Sequence, residues 1–216
     1  MANVQALAAD LPLDLRATRE PGKRMRSRLL DAAVELFKAQ GLAGVAVADI
    51  ATAAGAYPSQ ITYYFRTKEA LFVEAACREV LYVARQAETS AAGALTGSDY
   101  NRRLVETVIG SPGLALFVEA LSLTRRRQDL APLIERTFDR LHSKGDLAYA
   151  ETRAQHGWSG GDDPATTARR FWTLALGVAL RDGATGATGQ EAIDEMLALL
   201  RYSGGVSRTP HAQGEV

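Results

Sequence analysis

Apolar residues recur every three or four positions along most of this chain, and no segment alternates convincingly between apolar and polar residues. A spacing of three and four places apolar side chains on one face of an α-helix, whereas a half-buried strand requires alternation. Most of the seven prolines stand at or just before the start of such a segment, where the first turn of a helix tolerates them. These patterns predict an all-α protein of about nine helices.

Proline and glycine set the limits of the predicted helices. The first helix should run from about Lys23 to Gln40, with Gly41 as its left-handed stop. The others are predicted at 47–54, 58–65, 68–92, 99–109, 112–126, 130–153, 164–181 and 190–202. We expect residues 1–20 to form a flexible N-terminal arm and residues 203–216 a flexible tail.

Composition excludes several classes of protein. Cys77 is the only cysteine, which excludes an internal disulfide framework and a cysteine-based zinc site; we interpret it as a small buried residue rather than a redox sensor. His142, His156 and His211 lie in unrelated segments, and we find no phosphate loop or nucleophile motif, so we expect no metal, no cofactor and no enzyme. Without a run of about 18 apolar residues or a signal peptide, we expect no membrane partner and a cytoplasmic location.

The formal net charge is zero, but positive charge is concentrated near the N-terminus. One short stretch holds a single acidic residue, Glu20, among the basic residues Arg16, Arg19, Lys23, Arg24, Arg26 and Arg28. A local basic cluster on a neutral chain points to a polyanion bound at that end of the molecule. The alternative is a solvated helix start.

Residues 45–64 hold two predicted helices of about two turns each, which are too short to be stable without a partner. Ala51 is small enough to let them cross closely, and Gly55 can take the positive φ of a tight turn. Ile50 and Ile61 can close the small core from opposite sides. A small residue, a glycine turn and apolar anchors together indicate a helix-turn-helix.

The surroundings of this motif carry a family resemblance. A helix, the stop at Gly41, the helix-turn-helix and the run Tyr63–Phe72 follow one another as in the TetR/AcrR family of bacterial transcriptional regulators, which residues 24–73 resemble closely. The resemblance implies a helix-turn-helix DNA-binding domain over residues 21–72 and an effector-binding and dimerisation domain over residues 73–202. It also implies three partners: a double-stranded, palindromic or nearly palindromic DNA operator, a second copy of the chain, and a small effector.

The chain departs from the family pattern around the motif. Ala46 stands where the family often has Thr or Ser as the cap of the second helix, and Asp49 is expected to compensate in part. Tyr57 precedes the recognition helix where Ser is frequent, and Thr62 stands where Tyr is very frequent. These changes leave the expected fold intact, but the operator sequence of the family cannot be carried over.

The N-terminal turn of a recognition helix enters the major groove, so exposed residues there are candidates for base contacts. Ile61 and Phe65 are expected to face inward. Gln60 suits an adenine edge and the Thr62 methyl group suits a thymine methyl, with water contacts as the alternative for Gln60. The candidates are Tyr57, Ser59, Gln60 and Thr62.

Phosphate contacts are expected around these base contacts. The hydroxyls of Tyr63 and Tyr64 can reach phosphate oxygens, and Lys68 begins the fourth helix, where charge and backbone N–H groups favour a phosphate. The resemblance supports Tyr64 and Lys68, although packing for the tyrosines and a solvated charge for Lys68 are alternatives. We also expect a phosphate contact from Arg24 or Arg26 in the basic arm.

The family resemblance implies an effector pocket among the middle helices. Glu119 is a carboxylate in an otherwise apolar helix, and its partner could be Arg170, Arg181 or a ligand, unless it is exposed. The candidate lining residues are Leu81, Tyr82, Arg85, Tyr100, Leu104, Phe117, Glu119, Leu121, Phe138, Trp172 and Leu176.

The family places its dimer interface on the last two long helices, and both are rich in apolar residues here. Packing within the chain's own core is the alternative for each of them. The candidates are Phe171, Leu174, Val178, Ile193, Met196, Leu197 and Leu200.

The sequence therefore predicts a sequence-specific DNA-binding regulator, a homodimeric repressor that a small effector releases from its operator. A ligand-insensitive architectural DNA-binding protein and a small helical enzyme are the alternatives.

Overall fold

The computed structural model describes residues 20–158, 162–186 and 189–202. Over these ranges the chain forms nine α-helices, one 3₁₀ turn (Gln128–Leu130) and no strand, which confirms the all-α prediction. The predicted arm, apart from Glu20, and the predicted tail lie outside the described residues. The helices are α1 (Glu20–Gly44), α2 (Val47–Ala53), α3 (Pro58–Phe65), α4 (Lys68–Ala91), α5 (Gly97–Ile109), α6 (Pro112–Thr124), α7 (Ala131–His156), α8 (Pro164–Thr185) and α9 (Gly189–Tyr202).

Local sequence signals explain where these helices begin and turn. Pro112 and Pro164 stand in the first turns of their helices, each preceded by a capping side chain: Ser111 in α6 and Asp163 in α8 accept a backbone N–H of the first turn at 3.1 Å. Gly41 breaks α1 as expected, but its φ of 66° and ψ of 176° lie in a region open almost only to glycine and not in the expected left-handed helical region. The expected positive φ of Gly55 is also confirmed, at 59°.

The chain divides into two compact units. The first contains the described residues up to Gln86 together with Ser111–Leu141. Here α1 packs on α2 and α6, and α2 packs on α3. The Phe37 and Phe72 rings meet edge-on in its core at a centroid distance of 5.0 Å. The domain limit expected between residues 72 and 73 stays a prediction.

The second unit contains Ala87–Gly110 and the described residues from His142 onwards. In this unit α9 packs on α5 and α8, and α5 packs on α8. Tyr100 is buried at its centre, with the Tyr149 and Trp158 rings at centroid distances of 6.0 and 5.9 Å. Among all the described residues, no single helix is long and apolar enough to cross a membrane. The consecutive helices α5 and α6, taken together as one bent pair, are long and apolar enough by length and composition alone.

Candidate DNA-binding interface

The helix-turn-helix is built by α2, α3 and the turn at Gly55. Ile50, Ala51 and Ile61 are each at most 1% exposed, so the anchors expected from the sequence are in place. The Arg28 guanidinium donates a hydrogen bond to the Ala54 carbonyl and thereby ties α1 to this turn. From its sequence position Arg28 is assigned only to the basic cluster, because its partner, the Ala54 carbonyl, lies 26 residues away.

Both short helices are capped by the side chain at their third position. The Ala46 N–H donates to Asp49 Oδ2 at 3.0 Å, which is the half of a capping box that Asp49 can supply, so Asp49 compensates in part for the missing Thr or Ser cap. The Tyr57 N–H likewise donates to Gln60 Oε1 at 3.0 Å. The side-chain oxygen of Gln60, Oε1, is therefore already hydrogen-bonded within the helix. The expected bidentate contact with adenine would have to share or break this cap.

The start of α3 presents a polar and aromatic surface. Tyr57 is 77% exposed, and Ser59, Thr62 and Tyr63 are exposed as well. Ile61 and Phe65 point into the core, as expected. Side chains on the exposed face of this turn have the position from which a recognition helix reads base edges. Their contacts with DNA stay a prediction.

Tyr64 does not belong to that surface. It is only 7% exposed, and its ring meets the Tyr63 ring edge-on at 4.9 Å. Burial is the main cause that raises the pKa of Tyr64. The ring of Tyr64 is therefore packed as the packing alternative has it, and the expected phosphate contact of its hydroxyl stays a prediction.

Lys68 has a structural task that the sequence did not indicate. Its Nζ atom donates to the carbonyl oxygens of Leu42 and Val45, both at 2.9 Å. These carbonyls lie between the Gly41 break and α2, where no helix satisfies them. Lys68 is thus neither a purely solvated charge nor a free phosphate ligand. One N–H remains for the phosphate contact that was expected.

Arg26 turns inward rather than towards DNA. Its Nη2 atom lies 2.5 Å from Glu74 Oε1, and the two side chains are 20% and 15% exposed. The guanidinium also stands over the Phe65 ring, with its central carbon 5.0 Å from the ring centroid, while its buried Nε has no hydrogen-bond partner. The expected phosphate contact from Arg26 is therefore corrected, and the exposed Arg24 is left as the candidate.

Arg66 joins α3 to α4 in a strained conformation. It has φ 67° and ψ −51°, and the Thr67 N–H donates to the Phe65 carbonyl at 2.8 Å, which closes a rare left-handed γ-turn. A residue with a Cβ held in such a sparsely populated φ/ψ region costs of order 1–3 kcal/mol. The sequence offered no signal for this turn, since Asn or Gly would normally mark such a position.

The predicted effector-pocket residues fall into both units. In the first unit Phe117 is buried and its ring meets Phe138 at 5.7 Å, but Tyr82 and Arg85 are exposed. Glu119 is exposed as well, which settles its environment among the alternatives. In the second unit Tyr100 and Trp172 are buried. The remaining candidates are half-buried: Leu81, Leu104, Leu121 and Leu176.

The expected arginine partners of Glu119 are engaged elsewhere. Arg170 pairs with Asp162, and Arg181 pairs with Asp182 and Glu195.

The structure also contains two grooves that the sequence did not predict. One, of about 590 Å³, lies in the first unit and is lined by Leu42, Glu119, Ser122, Leu123, Arg125 and Arg126; the other, of about 550 Å³, lies beside Trp158 in the second unit.

The predicted dimer residues divide by burial. Phe171, Val178, Met196 and Leu197 are at most 8% exposed within one chain, so they form its own core and are corrected as interface residues. Leu174, Ile193 and Leu200 are half-buried. Leu180 and Leu199, on the same two helices, are 58% and 40% exposed and were missed. The apolar stripe alone does not distinguish the inner side of a helix from a second apolar face.

A helix-turn-helix with an exposed N-terminal turn on its second helix, followed by a larger set of helices, defines a class of DNA-binding transcriptional regulators. Residues 29–75 match the family model for bacterial regulatory proteins of the tetR family, and residues 97–201 match that for the C-terminal part of bacterial transcriptional repressors. The chain belongs to the TetR family of transcriptional regulators.

Solved structures agree with this assignment. A protein of Rhodococcus sp. RHA1 assigned to the transcriptional regulators is 36% identical, with 85% of this chain and 97% of that chain covered and a TM-score of 0.73. The fatty acid degradation regulator FadR of Bacillus halodurans shares the fold at 18% identity, 85% and 96% coverage and a TM-score of 0.62. The multidrug binding protein EbrR, complexed with imidazole, does so at 23% identity, 93% and 97% coverage and a TM-score of 0.58. Comparison with curated proteins finds no match.

Proposed function

We propose that this regulator is a homodimeric repressor that binds a palindromic or nearly palindromic operator and leaves it when a small effector binds. The observation that carries the proposal is the exposed start of α3, formed by Tyr57, Ser59 and Thr62. Side chains at this point of a helix-turn-helix reach base edges in the major groove. Since its partner is bacterial DNA, the protein works in the cytoplasm.

Dimerisation follows from the geometry of the operator. Two recognition helices must reach half-sites about 34–36 Å apart, which a two-fold dimer achieves. Leu180 in α8 and Leu199 in α9 support an interface on these helices, because both are exposed in the single chain. Leu174, Ile193 and Leu200 have the remaining accessible surface to join them. A second copy of the chain would bury these side chains.

The effector response is proposed to pass through α4. Only Arg66 and Thr67 separate α3 from α4, so a rotation of α4 moves the recognition helix. Arg26 pairs with Glu74 and Asp31 with Arg78, the latter pair at 2.7 Å, so α1 is tied to α4 as well. A ligand that binds one orientation of α4 better than another then shifts the DNA-binding equilibrium.

A ligand-insensitive DNA-binding protein is the second candidate. The two grooves of about 590 and 550 Å³ favour an effector-responsive protein, because they fall within the size range of small-molecule sites. If the protein binds DNA and no small molecule changes its affinity for DNA, the second candidate is supported.

Fluorescence anisotropy tests the proposal with a duplex from the regulator's own upstream region and a scrambled duplex of the same length. We expect a preference of at least about 10³ for the former. Tyr57→Ala should reduce this preference, whereas Tyr82→Ala, which removes another exposed tyrosine, should not. Equal binding of both duplexes by the unmodified protein would contradict sequence-specific repression. Sedimentation of Leu180→Glu with Leu199→Glu should yield monomers, and an unchanged dimer would contradict the proposed interface.

A further inference from the structure

The groove of about 590 Å³ in the first unit lies beside the C-terminal end of α6, and we call it the α6 groove. It holds three ionisable side chains, one hydroxyl and two leucines. The lining residues are Leu42, Glu119, Ser122, Leu123, Arg125 and Arg126.

The charges of the α6 groove are not used by the fold. The side chains of Glu119, Arg125 and Arg126 form no ion pair or hydrogen bond with any described residue. The neighbouring Arg127, by contrast, pairs with Asp129 and Glu69. Two arginines and one glutamate therefore line the groove with the hydrogen-bonding capacity of their side chains available.

We propose that the α6 groove binds a small amphipathic molecule that carries a carboxylate and a hydrogen-bond donor such as an ammonium group. Arg125 and Arg126 offer planar donor groups that match a carboxylate, and Glu119 can accept from the donor. Leu42 and Leu123 provide apolar surface for the body of the ligand. A DNA backbone fits less well, because the Glu119 carboxylate repels phosphate groups. A phosphate also offers no apolar surface for the two leucine side chains to contact.

The position of the groove gives such a ligand access to the DNA-binding elements. Leu42, in its wall, has its carbonyl oxygen hydrogen-bonded to Lys68 Nζ, and Lys68 is the first residue of α4. A ligand that contacts Leu42 is thus one hydrogen bond away from the residue that follows the α3–α4 joint. This coupling depends on the proposed DNA-binding function, whereas binding in the groove does not.

Ligand-observed NMR titration tests the binding with three probes that share a phenyl ring. L-Phenylalanine carries both a carboxylate and an ammonium group, 3-phenylpropionate only the carboxylate, and phenethylamine only the ammonium group. We expect L-phenylalanine to bind most tightly, 3-phenylpropionate more weakly and phenethylamine not measurably. No binding of L-phenylalanine, or equal binding of all three probes, would overturn the proposal.

Variants then locate the site. Arg125→Gln with Arg126→Gln should weaken L-phenylalanine binding by at least about tenfold, the effect of losing one charge-assisted hydrogen bond. Glu119→Gln should reduce the difference in binding affinity between L-phenylalanine and 3-phenylpropionate, because the ammonium group loses its carboxylate partner. Arg102→Gln with Arg140→Gln removes the same charge outside the groove and should leave binding unchanged. Equal weakening by both double variants would overturn the site.

DNA binding supplies an independent measurement on the same variants. L-Phenylalanine should change DNA affinity by about fivefold or more, and DNA should change the affinity for L-phenylalanine by the same factor. If the protein binds DNA but not the probes, the groove proposal fails and the proposed function stands. If it binds the probes but no DNA, the reverse holds. A salt dependence of DNA binding that falls in the Arg125 and Arg126 double variant without ligand would assign these arginines to the DNA backbone instead and overturn the proposal.

Discussion

Replacement of Arg26 by alanine separates a structural role from a DNA-contacting role. The side chain links three helices, through its ion pair with Glu74 in α4 and its position over Phe65 at the end of α3. Removing it leaves the Glu74 carboxylate, 15% exposed, without this partner. Loss of one partner of a buried ion pair costs about 3–5 kcal/mol, and the residual exposure of this pair lowers the expected cost to about 2–4 kcal/mol.

Two measurements on the same samples give the result. Urea denaturation followed by circular dichroism, at a fixed protein concentration, should show this destabilisation for Arg26→Ala, and the melting temperature should fall by roughly 5–15 °C. The slope of log affinity for DNA against log salt concentration should stay unchanged, because Arg26 neutralises no phosphate.

Arg24→Ala is the matched control and should behave in the opposite way. Arg24 is exposed, so stability should stay within about 0.5 kcal/mol, while the salt slope should fall by about 0.9 for each phosphate that the variant no longer neutralises. An Arg26→Ala protein of unchanged stability whose salt slope falls would refute the inward assignment of Arg26.

Three further changes test the local structure. Gly55→Ala should destabilise the protein by about 1–2 kcal/mol in thermal unfolding because of the φ of 59°. Gly183→Ala, in open space within α8, should stabilise it by about 0.5–1 kcal/mol. Changes of the same sign in the two variants would contradict this assignment of the Gly55 conformation. Asp49→Ala should cost about 1 kcal/mol in urea unfolding and Asp49→Asn less. Burial raises the pKa of Cys77 to about 11, so alkylation of the thiol near pH 8 should be at least about a hundredfold slower in the folded protein than in the unfolded chain. Because the thiol loses its proton more readily in the unfolded chain, the free energy of unfolding should decline between about pH 8.5 and 11.

The sequence predicted the elements well because their signals are local. Apolar spacing, prolines and glycines act within one or two turns, and every predicted helix has a counterpart in the described residues. The cap at Asp49 was predictable for the same reason, since it lies three residues from the N–H that it accepts.

The site was less predictable because its decisive contacts are distant in sequence. Arg26 meets Glu74, and Lys68 meets the carbonyls of Leu42 and Val45, across many residues. A basic residue near a helix start gives no local indication of whether it faces a carboxylate or a phosphate. The cap formed by Gln60 was not predictable for another reason, since a side chain suited to a base edge is equally suited to a helix cap.

Selection of duplexes from a random pool tests the central claim most directly, namely that the start of α3 reads base edges twice, once for each subunit. The unmodified protein should enrich a palindromic motif with half-sites about one helical turn apart. The Tyr57→Ala and Thr62→Ala proteins should enrich motifs that differ at the same positions in both half-sites. Enrichment of no motif, or of the same motif by all three proteins, would contradict the account.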